Sequence, residues 1–269
     1  MERLFYVPIR GSTPLPAEFP AAEAVAFVSA DGTRLHGWFI PAAGASAAEP
    51  APGILHVHGN AGNITSHLWF TEYLPGAGFN VFIFDYRGYG QSDGTPRSRR
   101  PLIEDTHAAL DALLARPEVD RSRIGMYAQS LGGAIGLNVM AERTEIRAAV
   151  IESAFSSWRQ IAAEAVGGHP PGWFARALAW LLIGDGLRPD DAAARIDRPL
   201  LFLHGTADSI IATFHSERLA QAAGGRATLH LLSGGEHNSL RSTHPEVEEI
   251  VIDFLRQRLA KPDAPDGDV

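Results

Sequence analysis

The chain has 269 residues, of which 31 are acidic and 23 are lysine or arginine, so its formal net charge at pH 7 is -8. This acidic balance argues against a nucleic-acid partner, because binding to phosphates needs a basic surface. The sequence contains no cysteine, which excludes disulfides, thiolate metal sites and cysteine nucleophiles together.

Apolar stretches in this sequence are too short for a membrane span, which needs about 20 consecutive apolar residues. The nearest candidate, 173–183, is interrupted by Arg176. The first residues also lack the apolar region of a signal peptide. We therefore expect a cytoplasmic protein without a transmembrane segment, and its oligomeric state stays open.

Short apolar segments punctuated by turn residues run along most of the chain. Segments 25–29 and 35–40 flank Asp31 and Gly32, a dipeptide that favours a tight turn, and together they predict an antiparallel pair. Six further apolar runs are typical of strands buried on both faces. These runs are 54–57, 81–84, 124–127, 148–151, 200–203 and 228–232.

Helical patterns alternate with these runs. The helical stretches are 67–74, 102–115, 131–142, 214–223 and 245–259. Alternation of this kind predicts an α/β fold with a mainly parallel eight-stranded sheet that carries helices on both faces.

One interval is much longer than a normal connection. About 50 residues separate the runs at 148–151 and 200–203, several times the usual loop length. Its aromatic residues include Trp158, Trp173, Phe174 and Trp180, which favours a helical cap over a site; an extra pair of packing helices is the alternative. The predicted division is an N-terminal extension at 1–23, a core at 24–152 and 198–260, the cap at 153–197, and a disordered tail at 261–269.

Ser130 follows an apolar run and opens a helical stretch, with Ala128 two residues before it and Gly132 two residues after it. Small residues around a serine at a strand-to-helix corner are typical of a nucleophile elbow, because the two backbones must approach closely there. Alanine in place of the usual first glycine predicts that the corner tolerates one extra methyl group. Ser130 is therefore the candidate nucleophile.

A serine nucleophile needs a histidine base, and the base needs a carboxylate that fixes its tautomer. Reactive groups in such sheets come from loops at the carboxyl ends of strands. Asp208 ends the loop after the run at 200–203, and His237 lies in a glycine-rich loop after the run at 228–232. The order Ser130, Asp208, His237 is typical of an α/β-hydrolase.

Other acids and histidines are weaker candidates for these roles. Glu152, at the end of its strand, is the rival carboxylate. His58 and His204 each precede a glycine at a strand end, where we expect a structural hydrogen bond. The remaining rivals lie within or next to predicted elements. They are His56, His230 and His244.

An oxyanion hole needs two backbone N–H groups directed at the developing negative charge. One candidate is the N–H of Leu131, directly after the nucleophile. The other is the N–H of Asn60, in the glycine-rich loop 58–63. Residues 85–88 are interpreted as a structural loop with a buried pair between Asp85 and Arg87, with Tyr86 bordering the pocket.

Five segments together resemble the α/β-hydrolase superfamily, and within it the serine-aminopeptidase-like or α/β hydrolase domain-containing group, which includes bacterial esterases. They are 58–63, 84–92, 129–133, 204–208 and 235–237. The resemblance covers about residues 24–257. It implies a Ser130, His237 and Asp208 triad with Asn60 and Leu131 as oxyanion donors.

These observations predict a serine carboxylester hydrolase that works through an acyl-enzyme without a metal or cofactor. The apolar cap favours small to medium acyl or aryl esters, with Phe155 and Trp158 as further candidate pocket residues. Two alternatives stay open. One is an amide or thioester hydrolase with the same triad, and the other is a non-catalytic binding protein on a hydrolase fold.

Overall fold

An eight-stranded sheet forms the centre of the computed structural model, which describes residues 6–165, 177, 180–181 and 183–261. The strands are β1 (Val7–Pro8), β2 (Glu23–Val28), β3 (Arg34–Ile40), β4 (Ala51–Val57), β5 (Ala61–Gly62), β6 (Asn80–Asp85), β7 (Val119–Gln129), β8 (Ile146–Glu152), β9 (Leu200–Gly205) and β10 (Ala227–Leu232). The order across the large sheet is β10-β9-β8-β7-β4-β6-β3-β2. Strand β3 is antiparallel to both of its neighbours, and all other pairs are parallel.

The predicted hairpin joins β2 and β3. Its turn is closed by a hydrogen bond from the Ser29 N–H to the Thr33 carbonyl at 2.9 Å. Gly32 has φ of +86°, a backbone conformation that glycine adopts without the cost that a side chain would add.

Helices cover both faces of the sheet. They are α1 (Ile64–His67), α2 (Arg99–Leu114), α3 (Leu131–Glu142), α4 (Trp158–Ala165), α5 (Pro189–Arg195), α6 (Phe214–Ala223), α7 (Leu240–Thr243) and α8 (Glu246–Arg258). Alternate residues of a strand face opposite layers: Leu55 and Val57 join one apolar cluster, and Ile54 joins the other. The predicted fold class, a mainly parallel sheet between helical layers, is confirmed.

The helix predicted at 67–74 is shorter and begins earlier. Asn63 caps α1, because its side chain accepts a hydrogen bond from the Thr65 N–H at 3.0 Å and its own N–H is paired with the Ser66 hydroxyl. This capping box starts the helix at Ile64. The α-helix ends at His67, and a 3₁₀ turn follows at Leu68–Phe70.

The predicted cap interval 153–197 contains α4 and α5. Trp173 and Phe174, which motivated the cap, lie outside the described residues, as do 262–269 of the predicted tail. The division into extension, core, cap and tail stays a prediction.

Helix α3 packs unusually close to the sheet at the corner that follows β7. A Cβ on Gly132 would overlap the carbonyl oxygen of Val57 on the neighbouring strand β4. One turn later, a Cβ on Gly136 would lie 3.2 Å from the Cβ of Ala128 and 2.6 Å from the Sδ of Met126. Ala128 is fully buried, and its extra methyl group fits because the helix presents a glycine opposite it.

We expect Gly132→Ala to lower the free energy of unfolding by about 1–3 kcal/mol or more, because the added methyl group meets backbone atoms that cannot rotate away. Urea unfolding followed by circular dichroism measures this. Gly225→Ala is the matched control, since a Cβ there meets nothing within 4 Å. Equal stability of the two variants would contradict the account of the corner.

Candidate active site

Ser130 occupies the corner between β7 and α3 with φ of 55° and ψ of -118°. A non-glycine residue in such a conformation costs about 1–3 kcal/mol and persists only where its surroundings enforce it. Here the Ser130 N–H donates to the Glu152 carbonyl at 2.8 Å, which ties the corner to strand β8. The strained corner places the serine side chain beyond the carboxyl end of β7.

The three side chains predicted as nucleophile, base and acid lie in one hydrogen-bonded row. Ser130 Oγ is 3.1 Å from His237 Nε2, and His237 Nδ1 is 2.7 Å from Asp208 Oδ2. A carboxylate can only accept, so Nδ1 carries the proton and Nε2 is left to accept from the serine hydroxyl. This tautomer is the one that can remove a proton from Ser130.

Asp208 is held by donors on both of its oxygens. Oδ1 accepts from the N–H groups of Ile210 and Ile211 at 2.9 and 2.8 Å, and Oδ2 lies 3.1 Å from His204 Nε2 as well as next to His237. Burial alone would raise the pKa of Asp208, but the hydrogen bonds from His204 and His237 hold that pKa well below its usual range. The carboxylate therefore stays ionised beside the histidine.

His204 makes structural hydrogen bonds, as expected, and in addition contacts Asp208. Its Nε2 is 2.8 Å from the Ile211 carbonyl and its Nδ1 is 2.6 Å from the Ser216 hydroxyl. Nε2 must donate to the carbonyl, and the same N–H faces Asp208. The contact between His204 and Asp208 arises because the tight turn after β9 brings the chain back toward the end of that strand. No sequence motif predicted this contact.

Asn60 and Leu131, the predicted oxyanion donors, both line the cavity that contains Ser130. The Leu131 N–H is the first amide of α3, where N–H groups have no partner within the helix and the helix dipole favours negative charge. The loop carrying Asn60 lies close to Gln129, the residue before Ser130, because Gly59 has no side chain. A Cβ on Gly59 would overlap Gln129 Oε1.

The cavity beside Ser130 has a volume of about 420 Å³. Its apolar lining side chains include Phe155, Trp158, Ile161, Ala165, Ile210 and Ile211. Its polar lining side chains, besides Ser130, are Asn60, His67, Gln129, His237 and Asn238. Phe155 and Trp158, two of the candidate pocket residues, both line this cavity, with their ring centroids 4.8 Å apart.

Tyr86, in contrast, does not border this cavity. Its ring is fully buried, and its hydroxyl donates to the His58 carbonyl at 2.8 Å. A buried hydroxyl needs a hydrogen-bond partner, and the His58 carbonyl provides one for Tyr86 in the core.

The pair expected between Asp85 and Arg87 is also absent from the ion pairs of the described residues. Arg87 instead pairs with Asp105 at 2.7 Å and Asp31 at 2.6 Å. Asp85 accepts instead from the Ile64 N–H at 3.0 Å, so the two side chains have separate partners.

Glu152, the rival carboxylate, is buried away from His237. Its Oε2 accepts a hydrogen bond from the Tyr127 hydroxyl. Burial, with a further contribution from the Asp208 charge, raises the pKa of Glu152 to about 7. Glu152 and Asp208 are thus neighbouring carboxyl groups with opposite shifts, and Asp208 is the one bonded to the histidine.

Gln129 is a site residue that sequence reasoning missed. It directly precedes Ser130, and its Nε2 is 3.3 Å from Asn238 Oδ1 and 3.5 Å from His237 Nε2. The elbow pattern leaves this position unspecified, so nothing in the sequence indicated that it contacts the histidine loop.

Comparisons with known proteins show the family and the fold of the chain. Residues 48–184 match the family described as serine aminopeptidase, S33. The chain belongs to this family. The resemblance to the α/β-hydrolase superfamily is thereby confirmed, and the family is one of hydrolases.

Relatives occur in bacteria and plants. The uncharacterized protein YfhR of Escherichia coli (strain K12) is 37% identical over 244 residues, which cover 89% of this chain and 82% of YfhR. The α/β hydrolase domain-containing protein WAV2 of Arabidopsis thaliana is 33% identical over 272 residues, which cover 87% of this chain and 83% of WAV2.

Solved structures share the fold at low sequence identity. Esterase Pf2001 of Pyrococcus furiosus superposes with a TM-score of 0.77 at 19% identity, covering 95% of this chain and 98% of the esterase. The α/β hydrolase GrgF from Penicillium sp. sh18 gives a TM-score of 0.72 at 19% identity, covering 89% of this chain and 99% of GrgF.

Two further observations concern membranes and metals. Among the residues that the structure describes, no helix is both long and apolar enough to cross a bilayer. Across the same ranges, histidine and acidic side chains form no group of three or more that could hold a metal ion.

The raised pKa of Glu152 makes stability depend on pH. In the unfolded chain a glutamate has a pKa of about 4.3, whereas in the folded protein it is about 7. Between these values the folded protein keeps a proton that the unfolded chain releases, so stability falls as pH rises. Relative to Glu152→Gln, the free energy of unfolding of the wild type should fall by about 1.4 kcal/mol per pH unit in this window.

Urea unfolding of both proteins at several pH values from about 4.5 to 7 checks this. Gln keeps an oxygen that can accept from Tyr127, so the comparison isolates the ionisation. Parallel pH curves for the two proteins would show that Glu152 does not titrate abnormally.

Proposed function

We propose that this protein is a serine carboxylester hydrolase with Ser130 as nucleophile, His237 as general base and Asp208 as the orienting acid. The hydrogen-bonded row from Ser130 Oγ through His237 to Asp208, with distances of 3.1 and 2.7 Å, carries the proposal. A serine hydroxyl is weakly nucleophilic at neutral pH, and this arrangement is the one that activates it.

In the first half-reaction, Ser130 Oγ attacks the acyl carbon while its proton moves to His237 Nε2. The tetrahedral intermediate collapses when His237 returns that proton to the departing alcohol oxygen, and an acyl-enzyme remains. Water then attacks the acyl carbon while His237 takes its proton. The second intermediate collapses as His237 returns that proton to Ser130 Oγ, and the acid is released. Asp208 stays ionised and stabilises each imidazolium.

Negative charge on the carbonyl oxygen would be stabilised by the N–H groups of Asn60 and Leu131. Both residues line the cavity next to Ser130. Preorganised donors of this kind are worth about 10²–10³ in rate each.

The apolar lining residues of the cavity and its volume of about 420 Å³ favour an acyl or aryl group of small to medium size. Pockets of this type usually bind small molecules through apolar contact, with a few polar groups for orientation. Pf2001, which shares the fold, is named an esterase.

We expect Ser130→Ala to lower kcat for p-nitrophenyl butyrate hydrolysis by at least about 10⁴-fold, because the covalent route is lost. Ser153→Ala is the control: this buried serine follows Glu152, and its hydroxyl has no hydrogen-bond partner among the described residues. Ser130→Ala activity equal to that of Ser153→Ala would refute the mechanism.

The family description raises aminopeptidase activity as a second candidate. An aminopeptidase must offer a carboxylate to the free amine of its substrate. Four acids of the predicted cap interval could serve in principle. Three of them already have partners: Glu164 is 3.1 Å from His215, Asp185 accepts from Ser157 at 3.0 Å, and Asp190 is 2.5 Å from Arg188.

Asp191, the fourth such acid, is largely exposed. No carboxylate is among the described residues that line the cavity. This composition favours an uncharged substrate group, and therefore an ester, over an aminoacyl amide.

Rates on matched arylesters and aminoacyl arylamides separate the two candidates. We expect kcat/KM to be higher for the p-nitrophenyl ester than for the aminoacyl p-nitroanilide by more than about 10²-fold, because the cavity offers no ion pair to the ammonium group. Equal or faster amide turnover would make the protein an aminopeptidase.

A further inference from the structure

The short strand β1 lies between two loops of the core and hydrogen-bonds to both. One is the loop 58–63, which carries Asn60, and the other is the loop that follows β6. Strand β1 pairs in parallel with β5, which directly follows Asn60. The pairing continues with a hydrogen bond from the Ile9 N–H to the Gly62 carbonyl at 3.0 Å. On the other side, the Ile9 carbonyl accepts from the Gly90 N–H at 3.0 Å. Residues 7–11 thus form a strap, the N-terminal strap, between two loops of the core.

The strap also binds the side chain of Asn60 itself. Asn60 Oδ1 accepts from the Val7 N–H at 3.1 Å and from the Tyr89 hydroxyl at 3.0 Å. At the far end of the same loop, Asn63 Nδ2 donates to the Ile9 carbonyl at 3.2 Å. Both asparagines of the loop are therefore tied to the strap.

These contacts are made by the strap's backbone and bury little apolar surface. The side chains of Val7 and Ile9 are 54% and 58% exposed. Because apolar burial is the main source of folding energy, a segment with such exposed side chains contributes little to the core. Its backbone contacts go instead to the loop that carries Asn60 and to the loop that follows β6.

We propose that the N-terminal strap positions the oxyanion hole, with the Val7 N–H and the Tyr89 hydroxyl together fixing Asn60. The inference rests on the proposed function, in which the Asn60 N–H receives the developing charge. An oxyanion donor is effective only where it is already aligned before the reaction. Gly59 and Gly62 flank the donor and provide little conformational restraint, so an external anchor is needed.

Val7→Pro tests this role by removing a single N–H. Val7 already precedes Pro8 and is therefore biased toward extended backbone, which a proline also accepts. We expect kcat for p-nitrophenyl butyrate to fall about tenfold or more, because a small misplacement of a catalytic group is costly. KM and the melting temperature should stay close to the wild-type values, since Val7 does not line the cavity and its own side chain is exposed.

Three comparisons make the test specific. Val7→Ala keeps the N–H and should retain kcat within about twofold. Leu15→Pro is the matched control, an exposed residue of the same extension that also precedes a proline. Tyr89→Phe removes the second donor to Asn60 while keeping the buried ring, and should also lower kcat without raising KM.

Each outcome decides between the hypotheses. If the wild type is active through Ser130 and both Val7→Pro and Tyr89→Phe match Leu15→Pro in kcat, the positioning role is wrong and the proposed function stands. If kcat falls only in variants whose melting temperature also falls, loss of folded structure accounts for the effect and the positioning role is wrong. Absence of Ser130-dependent ester hydrolysis in the wild type would overturn both.

Discussion

The close contact between the start of α3 and the end of β4 is the constraint on which the site depends. Gly132 allows the helix to approach the Val57 carbonyl, and Ser130 turns the chain with a positive φ to make that approach possible. The same contact sets the nucleophile beside the loop that follows β4, where Asn60 lies. A single steric requirement therefore brings together Ser130, the first helical amide and the loop that carries the candidate oxyanion donor Asn60.

Hydrogen bonding and burial shift the pKa values of two neighbouring carboxyl groups in opposite directions. Asp208 accepts hydrogen bonds on both oxygens and has a pKa well below the usual range, whereas burial raises the pKa of Glu152 to about 7. Only an ionised carboxylate can fix the tautomer of His237 and stabilise its protonated form. His204 at the end of β9 and the two amide donors in the turn that follows it keep Asp208 ionised.

Local sequence signals predicted the sheet and its elbow well, because the hairpin at Asp31 and Gly32 and the start of α3 after Ser130 depend on neighbouring residues. Contacts between distant segments were not predictable in this way. The pairing of Arg87 with Asp105, the burial of Tyr86 and the strap on Asn60 arise when elements far apart in the chain meet. The three candidate catalytic side chains could be chosen from strand ends alone, but the donors that hold them could not.

The central claim is that Ser130 is an activated nucleophile, and covalent labelling tests it most directly. A fluorophosphonate reacts with a serine that has an adjacent base and an oxyanion hole, so intact mass spectrometry should give one adduct per chain and peptide mapping should locate it on Ser130. Prior substitution of His237 by alanine should abolish the adduct. Folded wild-type protein that stays unlabelled, or is labelled equally without His237, would contradict the claim and favour a non-catalytic role for this fold.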